Sequence, residues 1–139
     1  RRLGSHSRLG VLAMSQLYRE IQVSVTTTGS NGAAVGTADS EPITGEIIST
    51  RVAYNGSAPN TTTVDLDEIG GLGRKILAKA ASNTSATHYP RQQMQDTSGA
   101  NITGVHERIV MPGRKVRVSV AASNALANAV VVTILVREQ

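Results

Sequence analysis

Three histidines, ten carboxylates and fourteen basic side chains are the groups through which this 139-residue chain could hold a metal, move a proton or bind an anion. Cysteine is absent, which removes disulfide frameworks, zinc ribbons and thiol nucleophiles together. His6, His88 and His106 lie far apart, and none has a second ligand at the short spacing that places zinc ligands on one face of a strand or helix. Asp65-Leu66-Asp67-Glu68 is the one acidic cluster; without the Asp/Asn-Gly alternation of a calcium loop, it reads as a solvated strand end. Gly70-Gly71-Leu72-Gly73-Arg74-Lys75 joins glycines to basic groups, but it opens a strand where a phosphate cradle would open a helix. There is no Gly-x-Ser-x-Gly elbow, and no carboxylate pair is marked out for glycosidic cleavage. The expectation is a noncatalytic protein with no catalytic residue, no metal and no cofactor.

Composition narrows the binding classes. The chain has no Phe or Trp and only Tyr18, Tyr54 and Tyr89, too few for the aromatic platforms on which single-stranded nucleic acid or sugar rings stack. The formal charge is +4, yet Arg1, Arg2 and Arg8 all precede Met14, leaving a nearly neutral remainder. A duplex-binding face concentrates its basic residues, so no direct nucleic-acid binding is expected. The longest apolar run, Ala129 to Val136, has the length of a strand, and no membrane partner is expected.

These side chains must be carried by a thin aliphatic core of Val, Ile and Leu. Residues 1–17 contain Arg2-Leu3-Gly4 and again Arg8-Leu9-Gly10 with no sustained period, and read as an N-terminal arm, either native or, before Met14, an added extension. Its candidate interface residues are Arg1, Arg2, Leu3, Arg8, Leu9, Val11, Leu12, Leu17 and Tyr18. Residues 18–139 read as a single domain. Arg19 to Thr26 alternates, with Ile21, Val23 and Val25 on one face. Thr27 to Ser40 is rich in small and polar residues and reads as a functional loop at an interface, or one hiding a weak strand near Ala33 to Val35. Further strands are expected over Ile43 to Tyr54, with Ile48, Val52 and Tyr54 in phase, and over Thr61 to Leu66, Leu72 to Ala81 and Ala86 to Met94. Val105 to Met111 is bracketed by turns at Asp96 to Gly99 and Pro112-Gly113. Arg114 to Ala122 and Ala129 to Arg137 complete the set, the last apolar on both faces as if covered from both sides. About eight strands without a long helix predict an all-β antiparallel β-sandwich, jelly roll or small barrel.

Gly73-Arg74-Lys75-Ile76 with Ala80-Ala81-Ser82-Asn83 recurs as Gly113-Arg114-Lys115-Val116 with Ala121-Ala122-Ser123-Asn124, which predicts two strands used alike in one sandwich. Arg74, Lys75, Arg114, Lys115 and Arg117 form a basic stripe if those strands are neighbours. Otherwise their charge keeps strand edges from pairing with other chains.

Gly73-Arg74-Lys75-Ile76-Leu77, then Tyr89-Pro90-Arg91, Asp96 with Gly99-Ala100, Arg117-Val118-Ser119-Val120 and Val130-Val131-Val132-Thr133 together resemble small all-β virion proteins of tailed bacteriophages. The match covers about residues 73 to 137 and is one of style and order. It includes capsid cement or decoration proteins, and implies a virion structural protein on the capsid surface. The resemblance further implies the major capsid protein as partner and a homo-oligomer, dimer or trimer, that clamps neighbouring capsomers. A neck or tail component is the alternative within virions, and a carbohydrate- or receptor-binding module the alternative outside them.

Overall fold

Alternating apolar residues, too few to close a helix face and spaced for a pleat, put every regular element of the described chain into a strand. The computed structural model describes residues 17–138. In chain order the strands are β1 (Tyr18–Val25), β2 (Ala34–Asp39), β3 (Ile43–Tyr54), β4 (Thr63–Ile69), β5 (Lys75–Lys79), β6 (Ala86–His88), β7 (Gln92–Gln95), β8 (Asn101–Glu107), β9 (Ile109–Ser123) and β10 (Val130–Arg137). All pairings are antiparallel. Among the described residues no helix is long and apolar enough to cross a membrane.

Eight strands build a sandwich. One sheet runs β1-β10-β3 and continues on the far edge of β3 with β6 and the first third of β9. The other runs β2-β9-β4-β5. Ile21, Val23, Val25, Ile43, Ile47, Val52, Val130, Val132, Ile134 and Val136 of the first sheet meet Val64, Leu66, Ile76, Val116, Val118 and Val120 of the second in one buried cluster. The expected β-sandwich is therefore observed, and the expected weak strand in Thr27 to Ser40 is β2, longer than foreseen.

Four sequence expectations are corrected by the geometry. Pro112-Gly113 is not a turn: β9 runs through it, pairing with β3 up to Arg114 and with β4 from Lys115 onward. Gly113, at φ 77°, supplies the left-handed residue that lets one strand change sheets. Ile48 is out of phase with Val52 because a bulge leaves Leu135 opposite Ser49 and Val136 opposite Ile47, so Ile47 takes the core position. Strand β10 is central within its sheet but is not covered on both sides; Val132 and Ile134 are buried, while Val131, Thr133 and Leu135 are half-buried between β1 and β3. The segment Ala86 to Met94 is not one strand, because Pro90 has no amide hydrogen for a ladder and divides it into β6 and β7.

Backbones approach closely where β10 ends. A Cβ on Gly45, at φ 136°, would collide with the carbonyl oxygen of Arg137, so this β3 position admits glycine alone.

Candidate interaction site

The residues singled out for chemistry are distributed by strand alternation. In β4, Val64, Leu66 and Glu68 point inward and Asp65 and Asp67 outward. The acidic cluster is thus a solvated face only in part: Asp65 and Asp67 face outward, but the Glu68 side chain is 1% exposed. Arg74, on the far side of the Gly70–Gly73 turn, satisfies it. Its backbone N donates to Glu68 Oε1 at 3.2 Å, Nε to Oε1 at 2.9 Å and Nη2 to Oε2 at 3.1 Å. The same Nη2 donates to the carbonyl of Val110 at 2.6 Å. Hydrogen bonding from Arg74 outweighs burial and holds the Glu68 carboxyl below its usual range. This pair ties the β4–β5 turn to the start of β9.

The two sequence repeats flank β4. Leu66 lies between Leu77 of β5 and Val118 of β9, and Asp67 between Lys75 and Arg117. Each copy is therefore a direct neighbour of the same strand, as expected of strands used alike. Their basic residues do not make a uniform positive stripe, because acids interleave. Asp39 of β2, Arg117 of β9, Asp67 of β4 and Lys75 of β5 form one transverse row in register. Arg117 Nε sits 2.8 Å from Asp39 and Lys75 Nζ 2.8 Å from Asp67. The Arg117 hydrogen bond lowers the Asp39 carboxyl pKa, and that to Asp67 raises the Lys75 ammonium pKa. A row of alternating charge supplies cross-strand attraction and leaves little net field for a polyanion.

His88 lies in β6 and His106 in β8, and among the described residues no group of three His, Asp or Glu could hold a metal ion. The Gly70-Gly71-Leu72-Gly73 segment is the β4–β5 turn, closed by Gly73 N donating to the Gly70 carbonyl at 3.0 Å. That amide serves the turn itself.

What the sequence did not single out is the hairpin of β7 and β8. These two strands form a sheet of their own. Every residue of β8 is exposed, on both faces of the strand. Gln93 lies opposite His106 and Gln95 opposite Asn101, so Met94 alone faces the four residues from Ile102 to Val105, with Gly104 at φ 80°. That bulge leaves Ile102 40% and Val105 43% exposed. The tip is rigid: Asp96 Oδ1 accepts from Ser98 N at 2.8 Å, Ser98 Oγ at 2.6 Å and Ala100 N at 3.1 Å. These bonds keep the Asp96 carboxyl pKa low, Ser98 contributing most.

At the hairpin base is an open cleft of about 410 Å³ lined by Glu46, Arg91, His106, Glu107, Arg108 and Val110. Arg91 Nη1 donates to the carbonyls of Pro90 at 2.8 Å and Ile48 at 3.4 Å. Arg108 Nε is buried without a hydrogen-bond partner among the described residues. Neither arginine is ion-paired with a carboxylate among the described residues. The arrangement suits docking: an unpaired guanidinium and a projecting, mostly uncharged ribbon with two exposed aliphatic side chains.

Of the arm, Arg1, Arg2, Leu3, Arg8, Leu9, Val11 and Leu12 lie outside the described residues. Leu17 and Tyr18 are described and exposed, where the Leu17 carbonyl accepts from Glu138 N at 2.8 Å beside the end of β10. Arg19, next in line, bridges Glu41 and Glu138. Thr27 and Ser40, which bound the segment expected at an interface, are both buried, and Ser40 exchanges hydrogen bonds with the backbone of Val116. No known family model matches the chain, and no curated protein matches it in sequence.

Proposed function

We propose that this chain is a noncatalytic virion structural protein, a tailed-bacteriophage capsid cement or decoration protein that binds the outer shell and holds neighbouring capsomers together. One observation carries the reading: the β7–β8 hairpin stands apart from the sandwich with β8 exposed along its whole length. A two-stranded ribbon is at best marginally stable alone in water, so a hairpin of this kind belongs in an assembly, where a neighbour supplies the missing strands or face. The resemblance of residues 73 to 137 to small all-β virion proteins supports reading that assembly as a capsid shell. The sandwich then acts as the spacer, and the arm and hairpin as extended contacts whose weak individual affinities multiply over many copies in a shell. The major capsid protein is the partner in this reading.

The test is co-sedimentation with purified particles, followed by cryo-electron microscopy of particles with and without the protein. Density at regular positions over the shell is the expected result. A ring at one vertex or along a tail would make it a neck or tail component, and no association would discard the virion reading. Deleting residues 1–13 is expected to weaken particle binding and leave the melting temperature of the body unchanged. Binding that survives the deletion would remove the arm from the mechanism.

A further inference from the structure

We propose that the β7–β8 hairpin is a self-association element, which pairs side by side and head to tail with the same hairpin of a second copy of this chain. The inference rests on the reading of the hairpin as an assembly contact and names its partner.

Three observations select a second copy. The first is how differently the strand edges are treated. The sandwich carries charge on its outer strands, with Arg19 and Glu20 on β1, Asp39 on β2, and Lys75 and Lys79 on β5. Such charges discourage edge-to-edge pairing. From Gln92 to Glu107 the hairpin has two charges, Asp96 at its tip and Glu107 at its base. Nothing between them repels an identical ribbon.

The second is self-complementarity. Within one copy Gln95 Nε2 donates to Asn101 Oδ1 at 3.0 Å and Gln93 Nε2 to the Ile102 carbonyl at 3.3 Å, which leaves the Gln92 amide, the side-chain oxygens of Gln93 and Gln95 and the Asn101 Nδ2 to serve the amides of another copy. Stacked identical strands use such amide ladders, and the bulged Ile102 and Val105 supply an apolar patch to be covered.

The third is charge placement. Two hairpins lying side by side about a two-fold axis bring the tip of each to the base of the other. The tip holds the exposed Asp96 carboxylate, and the base cleft holds Arg91 and Arg108, neither ion-paired with a carboxylate among the described residues, together with Glu46 and Glu107. A two-fold contact thus sets the Asp96 of each copy against the arginine side of the other's base, twice.

Sedimentation velocity on the whole chain across a concentration series tests this. A reversible dimer is expected. Ile102→Lys with Val105→Lys is expected to weaken association at least about tenfold without lowering the melting temperature. Asp96→Asn keeps the acceptor for Ser98 and Ala100 but removes the charge, and is expected to weaken the dimer several-fold at low salt and little at high salt. A wild type that stays monomeric throughout, or a dimer indifferent to both variants, would overturn the inference. Particle co-sedimentation separates this from the parent reading. A monomer that binds particles overturns self-pairing alone, whereas a variant-sensitive dimer that ignores particles supports self-pairing and refutes the virion role.

Discussion

The sandwich and the hairpin share a backbone conformation and differ in what their side chains meet. In β10, Val130, Val132, Ile134 and Val136 are buried against the opposite sheet, and the strand is paired along both edges. In β8, all seven residues are exposed and only one edge is paired. Burying an aliphatic side chain is worth about 1.5–3 kcal/mol, so β10 gains that term in full within the monomer, whereas Ile102 and Val105 of β8, at 40% and 43% exposure, gain the rest of it only when something covers them. Strand formation and strand stability are thus separate properties, the second set by neighbours.

Substitutions can break or sharpen this contrast. The largest effect is expected from Leu66→Ala, which empties a fully buried position between Leu77 and Val118 and should cost about 3–4 kcal/mol in a denaturant titration. Next comes Arg74→Ala, which leaves the Glu68 carboxylate buried without its partner, at about 3 kcal/mol. This variant carries its own pH signature. In the wild type the Glu68 pKa is depressed below that of an ordinary glutamate, so the stability it contributes is full above the ordinary value and is lost as pH falls through the lower folded-state pKa. Without Arg74, burial raises that pKa, so the deficit of the variant should be greatest near neutrality and narrow in acid, which paired melts at two pH values would measure. The smallest effect is expected from Ile102→Ser in the hairpin, within about 0.5 kcal/mol of wild type for the monomer. A loss matching that of Leu66→Ala would erase the distinction between the two regions.

The body was legible because its strands alternate: Ile21, Val23 and Val25, or Val116, Val118 and Val120, announce a buried face by period alone. Legibility failed where position within the strand changed meaning. Pro112-Gly113 has the composition of a turn, but long-range pairing with β3 on one side and β4 on the other decides that it bends a continuous strand. Ile48 looked like a core residue because one-residue bulges are invisible to a period-two pattern. Glu68 looked solvated because a buried carboxylate is unusual unless paired, and its partner lies beyond a glycine turn. The hairpin escaped notice for the opposite reason: polar on both faces, Gln92 to Gln95 carries no period to read. The repeat and the transverse charge row were visible as residues but not as a geometry, which needed β4 to lie between β5 and β9.

The passage of β9 through both sheets has a mechanical meaning. Only Arg108 separates the end of β8 from the start of β9, so tension applied to the hairpin is passed to the first residues of β9. That strand is bonded to β3 over its first residues and to β2 and β4 over its remainder. A pull is therefore resisted by ladders in both sheets and not by one edge alone. The Arg74 guanidinium, which bonds the Val110 carbonyl near the point of entry, pins that first segment to the second sheet. Load on the least supported part of the molecule is delivered to the strand that is laddered into both sheets.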